Sequence, residues 1–411
     1  MAERVLSDRK LPFAAPGIAR VRRLAPRPTL WQRLRAMGLR GIVYQIAVLA
    51  IVFALVLYLF GNMQTTLAAR GISTSFGFLG DVAGFSIGET IIPFGSTSTY
   101  ADAFLVGIVN ALRVSLVSIV FATVLGVLLG VARLSSNLLL SRLSGLYIEL
   151  FRNTPQLVQI AFWYTLITLA PAARSAMEPF KGAFISNRGV YIPWPVDGAA
   201  FIPMALFAVG CVGALAFQRW QRRPSLTSRP SRLARWVVFA ALIVGLPLLG
   251  WFASGASTTV SVPELKGFNF VGGLSLSPEF IALCLGLSLY IAAFLAEIVR
   301  AGIQSVSRGQ IEAAQSISLS KWTLYTRVIL PQALRVMVPP AAAQYVSLIK
   351  NSSLGVAIGY PELFSVTNTV TTLTGKAIEC TSIMMAAYMI ISFSVAILMN
   401  LYNRTVQVSG H

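Results

Sequence analysis

The sequence predicts an all-α, polytopic transmembrane helical bundle of about eight spans, and three observations carry that prediction. Of 411 residues, 56% are apolar and only 11% are charged, against about a quarter charged in soluble domains. Eight uncharged apolar runs approach the roughly 20 residues a helix needs to cross a bilayer. Lys and Arg crowd into alternate connecting segments, as the positive-inside rule requires of a multi-pass chain.

In chain order, a basic tail (residues 1–41) precedes a first span at Ile42 to Phe60. That run is longer than the apolar region of a cleaved signal peptide and follows a 40-residue tail, so it reads as a retained anchor. Asn62 to Ala101, rich in Gly, Ser and Thr, reads as an irregular external loop. The second span covers Phe104 to Val131, the third Thr154 to Ala173, the fourth Gly198 to Gln218 and the fifth Trp236 to Ser254. Between the third and fourth, Gly189 to Pro195 carries Pro193, Trp194 and Pro195 and reads as an interfacial turn. The sixth span covers Phe280 to Ala296. The seventh starts near Val336 and reads as interrupted by Pro339, Pro340 and Lys350, and the eighth covers Ser382 to Leu401.

With eight spans, the great majority of the basic residues in the connecting segments fall on one side and only a few on the other. Dropping any span scatters the basic loops over both sides. Both termini are therefore expected to be cytoplasmic, with Arg404 and the residues to 411 forming a short tail. The net charge of +19 reads as topology and contact with anionic lipid, not as a nucleic-acid footprint.

Catalytic chemistry is poorly provided for. The one histidine is His411, and Cys211, Cys284 and Cys380 are scattered through apolar stretches. His-ligated metals, Ser-His nucleophiles and Cys-x-x-Cys sites are excluded on that inventory. No G-x-x-x-x-G-K-[ST] phosphate loop occurs either. The chain is expected to be no enzyme, to hold no metal or cofactor, and to take its energy from elsewhere.

Gly302 to Arg335 is the one long basic-side loop with the look of ordered structure. Gln310 to Leu319 suits one short helix, and Trp322 to Ile329 a second that ends before Pro331. Read by pattern alone, these are amphipathic helices lying on lipid. The residues say more: Glu312-Ala313-Ala314, then Ser318, nine residues, then Val328-Ile329-Leu330-Pro331 resembles the E-A-A, G, nine residues, I-x-L-P signature of binding-protein-dependent ABC importer permeases. Ser318 stands where Gly is usual and Val328 where Ile is usual. Two further stretches resemble the polar amino-acid branch of that family. Phe151-Arg152-Asn153-Thr154-Pro155, ending Val158-Gln159, is similar to F-R-[GN]-T-P-x-x-V-Q, and Lys350-Asn351-Ser352-Ser353-Leu354 to K-x-[ST]-S-L. The resemblance runs from about Tyr100 to Asn403, and is strongest to the larger permease subunit of general L-amino-acid importers.

It implies a type I ABC importer permease core of five spans (the second, third, sixth, seventh and eighth) with a two-span insertion at about 198–254. It also implies that the loop 302–335 couples to an ATPase. Glu312, Ala313, Ala314 and Ser318 would contact that cytoplasmic ATP-binding subunit, with Pro331 ending the lever. A second permease subunit, as a hetero- or homodimer, and a periplasmic amino-acid-binding protein are further implied partners, in the bacterial inner membrane.

Intramembrane polar residues are costly enough to suggest a pathway for a polar amino acid. Thr154, Gln156 and Gln159 flank Pro155, which frees backbone carbonyls toward a cavity. Lys350, Asn351, Ser352 and Ser353 break the seventh span, and Glu297 ends the sixth. The other reading is interhelical packing, with Lys350 and Glu297 paired. Arg113 either snorkels or pairs with Asp102. Another small polar solute such as an opine, or an ion-coupled secondary transporter with titrating buried carboxylates, are the competing functions.

Overall fold

The computed structural model describes residues 39–69, 75–195, 231–255 and 259–407, with single positions between 206 and 217. It divides into two compact units, Met1–Thr74 and Ser75–His411. In the first, α1 (Leu39–Ala69) is an exposed apolar helix, and an 18-residue window within its stretch Val43–Ala69 has a mean hydropathy of 2.5. At 1.5 Å per residue that stretch is about 40 Å long, enough to cross a bilayer with tilt. The basic tail before it lies outside the described residues.

The second unit is built around two parallel helices, α2 (Tyr100–Arg133) and α7 (Pro278–Gln304). Cys284 Sγ meets the Val114 carbonyl at 3.9 Å and Ser288 Oγ the Ser118 carbonyl at 3.4 Å, the same offset of 170 residues each time. Close approach needs small residues at the seam. A Cβ on Gly126 or Gly130 would collide with Leu295 or with the Ala296 carbonyl and Val299. Capping starts both helices: Thr99 and Asp102 form a capping box on α2, and Ser277 accepts from the Phe280 amide of α7.

The predicted third span corresponds to α4 (Gln156–Thr168), and the stretch before it, expected to be loop, forms a further helix, α3 (Leu138–Asn153). Thr154 adopts extended angles (φ −99°, ψ 136°), as the residue before a proline prefers, and the helix breaks there. Ile160 of α4 packs on Gly286 of α7, at the centre of a buried core with Val114, Leu283, Leu287 and Ile291.

Between α4 and α7 the structure adds antiparallel sheet that sequence patterning left as loop. Strands β1 (Met177–Phe180), β2 (Ala183–Ser186), β3 (Gly189–Ile192) and β8 (Leu274–Leu276) pair in the order β1-β2-β3-β8. The pairs β4 (Trp194–Pro195) with β5 (Val260–Ser261), and β6 (Glu264–Lys266) with β7 (Asn269–Val271), complete it. Phe270 stacks on Phe184 at 4.6 Å and on Tyr191 at 4.7 Å between ring centroids, which gives the sheet a small core of its own. Trp194 thus belongs to a strand, not to a free turn.

Pro195 pairs with Val260, so the intervening insertion leaves and rejoins the body at one point. A segment with adjacent ends crosses a membrane an even number of times. One crossing is the apolar stretch Trp236–Ser254, made of α5 (Arg232–Ala240), a π-helical turn (Ala241–Gly245) and α6 (Leu246–Ser254). The predicted fourth span, Gly198 to Gln218, lies mostly outside the described residues. Gly210 lies against the Leu242 carbonyl, and Phe217 against Phe239 at 5.9 Å, contacts that run in opposite chain directions as in a helical hairpin.

After α7 the chain turns through α8 (Arg308–Ser316) into α9 (Lys321–Thr323), a π-helical turn (Leu324–Ile329) and α10 (Leu330–Asn351). The seventh span therefore starts earlier than the sequence predicts and runs unbroken through Pro339 and Pro340. A 3-10 segment (Ser352–Ile358), α11 (Leu363–Thr374) and α12 (Ala377–Gln407) close the bundle. The segment 75–99, the sheet and residues 359–376 gather at one end. Residues 134–137 and α8 lie at the other, since α2 and α7 run parallel from the first end to the second.

Candidate functional site

The signature loop is an ordered helix held to α10. Ala314, Val306, Leu324, Ile329, Ala333 and Met337 form one buried cluster. Glu312, Ala313 and Ser318 are exposed beside it, but Ala314 is only 5% exposed. Its place corrects the expectation of a partner contact: the missing side-chain bulk lets α8 sit close on the π-helical turn at the head of α10. The helix ends in a Schellman motif, the Ser318 amide donating to the Gln315 carbonyl (2.8 Å) and the Leu319 amide to that of Ala314 (3.2 Å). Such a turn needs a left-handed residue, and Ser318 takes φ 54°, alone among the described non-glycine residues.

Pro331 does not end the lever. It sits in the first turn of α10, where its missing N–H is tolerated, directly after the π-helical turn. Gln332 Nε2 donates to the Val328 carbonyl at 2.9 Å, so a side chain serves a backbone acceptor beside the proline. The helical run from α9 through the π-helical turn into the seventh span is thereby one connected rod, which begins just after the turn at Ser318.

The polar residues proposed for the pathway divide between two places. At the break between α3 and α4, Gln159 Nε2 donates to the carbonyls of Phe151 (2.9 Å) and Thr154 (3.2 Å) and lies 2.7 Å from the Thr154 hydroxyl. That hydroxyl bonds back to the Leu150 carbonyl at 2.9 Å. The carbonyls freed by Pro155 are thus satisfied within the break and do not face a cavity. Gln156 Oε1 accepts from Asn351 Nδ2 at 2.7 Å, bridging α4 to the end of α10. Gln156 Nε2 and Gln159 Oε1 are buried with no partner among the described residues.

Lys350 and Ser353 face the other way, because neighbouring helical residues differ by about 100° in direction. They line a cavity of about 670 Å³ with Met384, Met385, Tyr388, Met389 and Ser392 of α12. The cavity offers one cation, hydroxyls and a deformable methionine wall. Ser392 Oγ is buried there without a partner among the described residues. Ser352 is fully buried, its hydroxyl spent on the Ile349 carbonyl at 2.7 Å, and Ser353 bonds the Lys350 carbonyl at 2.8 Å. Glu297 stands apart: Arg300 Nε reaches both its oxygens at 3.1 and 3.0 Å, so it does not pair with Lys350. The α12 residues were not among those singled out from the sequence, where nothing sets three methionines apart in an apolar span.

Arg113 pairs with neither lipid headgroups nor Asp102. Asp102 is held by the cap on α2, and Arg113 Nη1 meets Glu89 Oε1 at 2.6 Å. Burial pushes the Glu89 carboxyl above its usual range, while Ser277 and Arg113 pull it back.

Comparison with known proteins gives these features their setting. The family model described as "Binding-protein-dependent transport system inner membrane component" matches residues 236–408. The chain is 46% identical over 90% of its length to the amino-acid ABC transporter permease protein YhdX of Escherichia coli (strain K12), covering 94% of that protein. It is 40% identical over 89% of its length to the general L-amino acid transport system permease protein AapQ of Rhizobium johnstonii, covering 91% of it. It is also similar to the glutamate/glutamine/aspartate/asparagine permease protein BztB of Rhodobacter capsulatus, at 35% over 90% of this chain and 94% of that one.

Proposed function

This chain belongs to the family of binding-protein-dependent transport system inner membrane components, and we propose that within it the chain forms the translocation pathway of an ATP-driven L-amino-acid importer. The observation that carries the reading is identity of 35 to 46% over about nine-tenths of the chain to three amino-acid permeases. The chain is a multi-pass membrane subunit and not itself an enzyme; ATP is hydrolysed by an ATP-binding subunit of the same importer.

The geometry supports a division of labour. On the side of the basic loops, taken as cytoplasmic with both termini, α8 presents Glu312, Ala313 and Ser318 to the ATP-binding subunit, and Ala314 locks that helix to α10. Movement of α8 reaches the seventh span through the packing of Ala314 with Leu324 and Ile329, beyond which α9, the π-helical turn and α10 are continuous. The cavity lined by Lys350, Ser353 and α12 suits a zwitterion, with the ammonium of Lys350 for its carboxylate. Gln156 and Asn351, joined across the break, sit where α4 and α10 would shift relative to one another. A second permease subunit completes the pathway, and a periplasmic binding protein delivers the amino acid at the sheet end.

The test is co-purification with a tag on this chain, followed by ATP hydrolysis in nanodiscs with and without amino-acid-loaded binding protein. An ATP-binding subunit should stay bound, and turnover should rise with loaded binding protein. Glu312→Arg should abolish that stimulation and the pull-down of the ATP-binding subunit. Solute movement without ATP, lost when the proton or sodium gradient collapses, would replace this reading with a secondary transporter.

A further inference from the structure

Glu89 joins four separate segments at the sheet end of the bundle. It belongs to the segment 75–99, which precedes the family-like core. Its carbonyl accepts from Asn110 Nδ2 of α2 at 2.8 Å, and the same amide donates to the Pro361 carbonyl at 2.9 Å. Its carboxylate pairs with Arg113 of α2 at 2.6 Å and accepts the hydroxyl of Ser277, the cap of α7. Arg113 in turn lies 4.3 Å from the Phe280 ring centroid of α7, and Tyr360 Oη reaches the Asn110 carbonyl at 3.4 Å. Both partners of the ion pair are largely covered, at 14% and 16% side-chain exposure. A cavity of about 540 Å³ opens directly beside them, lined by Glu89, Ser277, Glu279, Pro361 and Ser365.

Resting on the importer reading, we infer that Glu89 is the positioning residue of an outer gate, holding the segment 75–99, α2, α7 and the Tyr360–Pro361 turn together until loaded binding protein separates them. The chemistry of the seal favours a gate over a permanent staple. An apolar seal loses all its burial on opening, whereas an ion pair trades Coulomb attraction for hydration when water enters. Closed and wetted states then lie close in energy, which a delivery protein can tip. The pair also sits beside this cavity at the starts of the two central helices.

The test uses the whole transporter in nanodiscs and its soluble binding protein loaded with L-glutamine. Glu89→Gln should raise ATP hydrolysis measured without binding protein by on the order of tenfold, the shift that about 1.4 kcal/mol makes in a two-state equilibrium. The fully stimulated rate should stay unchanged. Exchanging the charges, Glu89→Arg with Arg113→Glu, should restore the low unstimulated rate. Should the Gln variant fail to assemble, Glu89→Asp, which keeps the charge on a shorter arm, should raise the unstimulated rate in the same sense. An unstimulated rate equal to wild type in an assembled variant overturns the gate. So does a rise that the exchange fails to reverse, accompanied by a lower melting temperature in every variant, since that marks a structural role. If wild type itself is not stimulated by loaded binding protein, the importer reading fails and takes the gate with it; stimulated wild type beside an unresponsive variant fails the gate alone.

Discussion

Gln159 shows how one side chain sustains a broken helix. A proline after Thr154 strips the local backbone of donors inside a bilayer, where each unpaired carbonyl is costly. Gln159 supplies the missing donor to Phe151 and Thr154. Gln159→Ala should therefore lower stability by about 1 to 3 kcal/mol, the cost of leaving buried acceptors unpaired, read as a lower unfolding midpoint in detergent. The polar stretches around Pro155 and Lys350 were legible from sequence as places of unusual chemistry. Their partners were not, because hydrogen bonds between residues far apart in the chain, such as Gln156 with Asn351, leave no periodic trace. Glu89 escaped for the same reason: nothing around it in the Gly- and Ser-rich segment marks a carboxylate bound for Arg113.

Among the elements, helix positions followed from apolar runs and capping residues, while helix connections did not. The sequence placed a stop at Pro331, since proline ends most helices. The chain passes it by opening a π-helical turn just before it, a device that composition does not encode. The sheet was missed because strands of two to four residues are shorter than the window over which alternation can be read. The turn after α8 was anticipated as the point where Ser replaces Gly, and there the backbone keeps its left-handed form against the side chain's preference. Ser318→Gly should stabilise the α8 end by about 1 kcal/mol, seen as greater amide-exchange protection through Gln315–Leu319. Its effect on coupling should be small, because the shape of the turn does not change.

For the molecule as a whole, charge sidedness and the pairing of Pro195 with Val260 make the same demand. The first requires an even number of spans in the insertion so that every later basic loop stays on one side. The second returns the insertion to its starting point. Single cysteines at Lys181 in the β1–β2 turn and at Ser307 before α8 should label from opposite faces of the membrane with an impermeant maleimide in spheroplasts and inverted vesicles. Labelling of both from one face would refute the eight-span arrangement. The five-span core was visible in outline because apolar length and charge are local properties, whereas α3, whose Leu-rich stretch carries Arg142 and Arg152, was read as loop because its charges mask its helical pattern.

The strand pairing has a further consequence for biosynthesis. β3 ends at Ile192, and its partner β8 begins at Leu274, with the inserted hairpin between them in the chain. The ribosome must deliver that whole hairpin to the bilayer before the sheet has its last strand, and contacts so distant in sequence form late. α7 is synthesised directly behind β8, so the helix at the centre of the bundle emerges just as the sheet becomes able to close. Closure of the sheet therefore waits for the hairpin and coincides with the emergence of the central helix.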